Sequence, residues 1–210
     1  MVLQKKENRK TIGEDMQKFE YNGKTYIKIK QDWYSEIGQK LPLKTAVMLD
    51  AEFNAMLIEN EQSIVKLLDQ TRHFLNIGST KNAYDVIVEA LSLATNNPEQ
   101  TQFLPSVLVM YASVVRAVEK QEEGIATFLK VLKAEADIDK NPQIQTALAS
   151  LYLDVKKPQE AIDLAHEAMI NFKKIKRKVS DELMIVWSIL KKDFPETYKA
   201  YREKLKSNTK

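Results

Sequence analysis

The pattern of apolar and polar positions divides the chain into a short N-terminal region and a long helical region. Residues 1–17 are polar and show no periodicity. Aromatic and β-branched residues then flank Asn22-Gly23 on both sides, and Asn-Gly supplies the two positive-φ residues of a type I′ turn. This pattern predicts a small N-terminal β-hairpin. Its aromatic residues would pack on the first helices, or its edge would pair with a partner.

From Leu41 onward the apolar residues recur with the period of an α-helix. One helix is predicted over residues 44–61, followed by four pairs of helices. The predicted pairs are 62–77 with 80–95, 104–120 with 122–135, 142–155 with 158–173, and 180–192 with 195–206. The breaks carry turn or helix-start residues, at Gly78-Ser79, Asn96-Asn97-Pro98, Asn141-Pro142, Lys157-Pro158 and Phe194-Pro195.

Small residues recur in the predicted second helices at intervals of about 40 residues, which is typical of a helical repeat. The first member of each set is Ala83, Gly124 or Ala161. Seven residues later the three copies carry Ala90, Val131 and Ala168. Because one hairpin cannot bury its apolar face alone, at least three must stack into a continuous core. The fold class predicted is mostly α, a helical-hairpin solenoid of three to four repeats.

The first helices carry a second recurring set, in which a large and a small residue are followed three positions later by an aromatic one. The best copy is Leu148-Ala149 with Tyr152. The middle copy, Tyr111-Ala112, has Val115 in place of the aromatic residue, and the first copy, Gln70-Thr71, keeps the aromatic Phe74 but not the apolar and small pair. Together with the small residues of the second helices, this pattern resembles the tetratricopeptide repeat (TPR) family over about residues 62–173. A fourth pair matches more loosely. The predicted domains are an appendage over 1–40 and a TPR-like repeat domain over 41–210, ending in basic capping helices.

The resemblance implies a concave groove lined by the first helix of each pair, which would hold a protein or peptide partner. The family's chaperone-tail clamp is not expected, because Leu68 and Arg72 stand where its Lys and Asn residues would be. Arg72 and Arg116 would bind carboxylates, or would pair with neighbouring acids. The predicted groove residues are Val65, Leu68, Arg72, Leu75, Ser106, Val109, Ser113, Arg116, Gln143, Thr146 and Ser150.

Composition argues against most kinds of chemistry. The chain has no cysteine, two histidines (His73 and His166) and five glycines. A thiol site and a Cys or His zinc site are therefore not expected. No glycine-rich phosphate loop and no nucleophile–base constellation is recognisable. We therefore expect no enzyme activity, no cofactor, no metal and no small-molecule substrate.

Charge is unevenly distributed along the chain. Residues 1–30 and 173–210 are basic, whereas the region between them is acidic. The densest basic patch comprises Lys173, Lys174, Lys176, Arg177 and Lys178. It is either a solvated helix end or a contact to nucleic acid or an acidic protein. Retention on RNA or DNA that falls by orders of magnitude between about 50 and 200 mM salt would identify the phosphate contact.

These patterns favour a non-catalytic adaptor or scaffold that binds a partner through its groove. The alternative is a protein associated with nucleic acid or ribonucleoprotein through its basic patch. The charged N-terminus lacks the apolar stretch of a signal peptide. The longest apolar runs fall far short of the ~20 residues of a membrane helix. A cytoplasmic location is therefore expected.

Overall fold

The computed structural model of the chain describes residues 16–96, 98–135 and 138–207, so the predicted polar arm lies almost wholly outside it. The chain forms two compact units, of which the first ends at Glu59 and the second begins at Asn60. The strands are β1 (Met16–Tyr21), β2 (Lys24–Ile29) and β3 (Asp32–Ser35). The α-helices are α1 (Leu43–Asn76), α2 (Thr80–Asn96), α3 (Leu104–Ala117), α4 (Gln121–Ala134), α5 (Pro142–Asp154), α6 (Pro158–Lys174), α7 (Asp181–Asp193) and α8 (Pro195–Ser207).

The three strands form an antiparallel sheet in the order β1-β2-β3. The predicted turn joins β1 to β2, and Asn22 and Gly23 have φ angles of 50° and 70°. The register follows from this turn and pairs Phe19 with Tyr26. The third strand was not predicted. It follows a turn in which Lys30 adopts a φ of 58° without the Gly or Asn that usually marks such a position.

The sheet packs on the start of α1 through an aromatic cluster, in agreement with the first of the two interpretations of the hairpin. Trp33 is 1% exposed, and its ring centroid lies 5.9 Å from that of Phe19 and 5.6 Å from that of Phe53. Leu49, also buried, completes this core. A small sheet is marginal by itself in water, so this contact with a helix is what stabilises it.

The Asp50 carboxylate ties α1 to the sheet and makes this unit sensitive to acid. It accepts a hydrogen bond from Trp33 Nε1 and lies in an ion pair with Lys28 Nζ, both at 2.9 Å. The hydrogen bond from Trp33, and then the contact with Lys28, lower the pKa of Asp50 below 3.8. A carboxyl group whose pKa is lower in the folded state stabilises the fold above its unfolded pKa. That contribution is lost as the pH falls through the folded value.

We therefore expect the first unit to lose stability as the pH drops below about 4, and Asp50→Asn to remove part of this acid sensitivity. Acid titration of Trp33 fluorescence in a Trp187→Phe background measures this unit alone. If the Asp50→Asn variant and its parent had identical acid profiles in that background, the assignment would be contradicted.

The helix boundaries agree with the predicted breaks, with two differences. The predicted helices 44–61 and 62–77 are one helix, α1, because no Gly or Pro occurs between Pro42 and Gly78 to end it. A 3₁₀ helix, Pro98–Phe103, was also not predicted and precedes α3. Elsewhere the ends are those that the sequence marks. Asn141 caps α5 by accepting from the Gln143 amide at 2.9 Å, and Ser180 caps α7.

The turn inside each of the first three hairpins has the same backbone geometry. The residues that follow α1, α3 and α5 adopt positive φ angles, and each next amide donates to a carbonyl five residues earlier, the Schellman arrangement. The residues are Gly78, Glu119 and Lys156, at 74°, 58° and 56°. The hydrogen bonds run from Ser79 to Phe74, from Lys120 to Val115 and from Lys157 to Tyr152. The turns inside the first three hairpins thus share one backbone geometry.

Lys156 has a positive φ, a conformation that costs an L-residue with a side chain about 1–2 kcal/mol and costs glycine almost nothing. We expect Lys156→Gly to stabilise the second unit by about 0.5–1 kcal/mol once the greater freedom of unfolded glycine is counted. The same substitution at the exposed helical residue Lys130 should instead destabilise it by about 1 kcal/mol. Urea denaturation of both variants measures the two effects, and a loss of stability in Lys156→Gly would contradict the first.

Small residues let the two helices of each hairpin approach closely in the second unit. Ala83 and Ala161 are fully buried, and Gly124 is buried in the middle copy. The first helices contribute the larger core side chains, among them Tyr111 and Leu148. The predicted stacking of helical hairpins is therefore confirmed.

Candidate functional site

A groove of about 240 Å³ opens between α3, α5 and the start of α7. The residues of α3 and of α5 that line it recur every three or four positions, so each set lies on one face of its helix. The lining residues are Val109, Ala112, Ser113, Arg116, Gln143, Thr146, Ala147, Ser150, Ser180 and Glu182.

The structure brings together six of the eleven residues that the sequence placed in a groove. They are Val109, Ser113, Arg116, Gln143, Thr146 and Ser150. The other five do not line it. Leu68 and Leu75 of α1 pack against the core of the second unit, and Val65 and Arg72 are exposed elsewhere on that helix. Ser106 is exposed near the start of α3.

Four lining residues were not predicted to face a groove. Ala112 was assigned to the small core position of its repeat, and it is both nearly buried and at the groove wall. Ala147 of α5 is half-buried and also lines the groove. Ser180 and Glu182 belong to the helix start of α7, which the sequence does mark. Their position beside α5 depends on how the fourth hairpin packs, and no local signal shows that.

The hydroxyl groups in the groove already donate to their own helices. Thr146 Oγ1 donates to the Pro142 carbonyl at 2.6 Å, and Ser150 Oγ donates to the Thr146 carbonyl at 3.2 Å. A hydroxyl that donates in this way keeps lone pairs free to accept. Ser150, which is half-buried, therefore offers an acceptor for an N–H group of a ligand, whereas Thr146 is buried and forms the floor.

Arg116 is held at the edge of the groove by an acid from the neighbouring hairpin. Its Nε lies 2.7 Å from Asp154 Oδ2, and its Nη2 donates to Asp154 Oδ1 at 3.2 Å. Arg72 pairs with Asp69 within α1 at 2.7 Å. Both arginines therefore pair with neighbouring acids, which was one of the two interpretations of these residues.

Glu182 leaves the α7 end of the groove acidic. Within the described ranges it forms no ion pair, and it lies in the first turn of α7, where the helix dipole favours a negative charge. Of the two charged residues that line the groove, Arg116 is already paired with Asp154, whereas Glu182 keeps a carboxylate without an ion pair among the described residues. The groove therefore favours a ligand that carries N–H donors or a positive charge there.

The basic patch lies at the C-terminal end of α6 and in the connection that leads to α7. All five of its cations are exposed, and none forms an ion pair with a residue that the structure describes. α6 ends within it in a Schellman turn, where Lys176 has a φ of 55°. Contact with phosphates or acidic protein through this patch stays a prediction.

The two histidines lie in separate settings. His166 is in contact with Tyr201 through its Nδ1, and the His73 ring lies tilted beside that of Phe74 with ring centroids 5.9 Å apart. Across the described part of the chain, no three His, Asp or Glu side chains are grouped as metal ligands. No helix in that part is sufficiently long and apolar to cross a membrane.

Comparison with known proteins gives a likeness in structure and none in sequence. No protein-family model matches the chain, and no curated protein matches it. The crystal structure of the Sgt2 TPR domain from Aspergillus fumigatus is similar, with a TM-score of 0.51 and 16% sequence identity. The match covers 65% of this chain and 82% of that domain. At this identity the likeness shows the fold, a TPR-like helical repeat.

Proposed function

We propose that the protein is a non-catalytic adaptor that binds a segment of a partner protein in the groove between α3, α5 and α7, in the cytoplasm. The observation that carries the proposal is the groove itself. It is built from the first helices of successive hairpins, and small side chains such as Ser113, Ala147 and Ser150 leave it open. Protein recognition on such a face is a general use of stacked helical repeats.

The lining of the groove indicates what kind of segment fits. Ala112 and Ala147 leave room for a side chain of the ligand, and Val109 supplies an apolar contact. The Ser150 hydroxyl accepts from a ligand N–H, while Glu182 attracts a positively charged group at the α7 end. An extended peptide with a small apolar residue and a Lys or Arg a few residues away satisfies these features.

Site-specific photo-cross-linking tests this proposal in cells of the source organism. A photoreactive phenylalanine analogue replaces Ser113, which is exposed in the groove, or Ser92, which is exposed on α2 outside it. We expect a discrete cross-linked partner from position 113 and none of the same mass from position 92. The same products from both positions, or none from position 113, would overturn the proposal.

A further inference from the structure

A second groove, of about 670 Å³, lies between α4, α5 and α6. Its α5 residues are Gln145, Leu148 and Tyr152, whereas those of the first groove are at positions 143, 146, 147 and 150. At 3.6 residues per turn these two sets fall on opposite faces of α5. The second groove is therefore a separate surface, and nothing said of it rests on the function proposed above.

The second groove has an apolar floor and apolar lips. Leu132 and Leu164 are half-buried in it, and Leu148 lies beneath them in the core. Leu129 on α4 is 48% exposed and Ile170 on α6 is 40% exposed. One large aliphatic side chain on α4 and one on α6 are thus left partly in water, and a partner that covered them would gain from their burial.

One lip of the groove is acidic. Glu160, Asp163 and Glu167 recur at three- and four-residue spacing along α6, and Asp139 lies in the α4–α5 connection. None of the four forms an ion pair with a residue in the described ranges. Among these acids, the helix dipole favours only Glu160, because Glu160 is the one that lies in the first turn of α6.

The acids outnumber the cations that line the same groove, which are Lys140 and Lys174. The Glu160 carboxylate of this lip also interacts electrostatically with Tyr152, which lines the groove. Burial, and then the Glu160 carboxylate, raise the pKa of Tyr152, whose side chain lines the groove. The surface thus combines exposed aliphatic groups with an excess of negative charge along one side.

We propose that this second groove binds a basic amphipathic helix of another protein. The apolar stripe of such a helix would cover Leu129 and Ile170, and its flanking Lys or Arg residues would face the lip formed by Glu160, Asp163 and Glu167. Charge complementarity selects a basic helix over a neutral or acidic one. The chain's own segment from Lys173 to Lys178 does not suit the groove, because it ends α6 in a turn and is not an amphipathic helix.

The repeat supplies matched controls. Asp85 and Glu89 hold the positions in α2, relative to Ala83, that Asp163 and Glu167 hold in α6 relative to Ala161. Val88 likewise corresponds to Leu129 of α4 and is 40% exposed. These three residues of α2 have the same helix position and similar exposure, and they do not line the groove.

The test uses the full chain and a fluorescent amphipathic helical peptide of leucine and lysine, with fluorescence anisotropy as the readout. A charge-reversed peptide of leucine and glutamate is the control ligand. We expect Asp163→Lys with Glu167→Lys to weaken binding by about tenfold or more, and Asp85→Lys with Glu89→Lys by less than about threefold. Leu129→Ser should weaken it about fivefold, and Val88→Ser should leave it unchanged.

Several results would overturn the proposal. They are no binding to the wild-type chain, equal losses in the α6 and α2 variants, or equal affinity for the glutamate peptide. If the wild-type chain self-associates in sedimentation and the variant Asp163→Lys with Glu167→Lys does not, a second copy of the chain covers the groove. If the lysine variant unfolds, Asp163→Asn with Glu167→Gln removes the two charges at constant side-chain size. An unchanged affinity of this neutral variant for the lysine peptide would also overturn the proposal.

Discussion

Replacing Gly124 with leucine is expected to destabilise the second unit by about 3 kcal/mol or more, at the upper end of what overpacking costs. A Cβ atom at this position would lie 2.7 Å from Val115 Cγ2 and 3.4 Å from Leu151 Cδ1. Both neighbours are fully buried, and the β-branched Val115 has little rotamer freedom with which to move away. The gain in helix propensity over glycine, about 1 kcal/mol, does not offset this clash.

Urea denaturation followed by circular dichroism measures the effect, with Ala126→Leu as the control because that residue is exposed on the same helix. Gly124→Ala should cost less than the leucine variant, and adding Val115→Ala should restore much of its loss. A Gly124→Leu protein as stable as the Ala126→Leu protein would show that α3 and α4 do not approach each other closely at this residue.

Trp33→Ala is expected to cost the first unit about 3–5 kcal/mol, which is typical of removing a buried tryptophan, and to unfold its sheet. Trp33 contacts the rings of Phe19 and Phe53, and its indole N–H donates to Asp50. Among the described residues of this unit, few other buried side chains are available to replace those contacts.

Amide hydrogen exchange of residues 16–35 measures this loss, because strand amides that are hydrogen-bonded exchange slowly only while the sheet persists. Tyr34→Ala is the control, since Tyr34 points to the other face of β3 and is half-buried. Strand amides that remain as protected in Trp33→Ala as in Tyr34→Ala would contradict the role given to the aromatic cluster.

Most of the fold could be predicted because its boundaries are marked by residues with strong local preferences. Asn22-Gly23 predicted the first turn, and prolines marked the starts of α5, α6 and α8. The third strand was missed because Lys30 takes a positive φ that its side chain does not reveal. The single long α1 was read as two helices because its apolar stripe is imperfect, although no residue in it breaks a helix.

The candidate site could be predicted only in part, for a different physical reason. Helical periodicity places Ser113 and Ser150 on a face of their own helices, which is local information. The contact of Arg116 with Asp154, and the position of Ser180 beside α5, depend on how hairpins distant in sequence pack together. The four predicted residues of α1 do not line the groove, because which helices border it also depends on how the hairpins pack together.

The most direct test of the central claim is the affinity for the partner segment that cross-linking at position 113 identifies. Isothermal titration compares the wild-type chain with Ser113→Trp, which fills the groove, and with Ser92→Trp, which adds the same side chain to α2. We expect Ser113→Trp to weaken binding about tenfold or more and Ser92→Trp to leave it within about twofold of wild type. Equal affinities of all three proteins would contradict binding in the α3–α5–α7 groove.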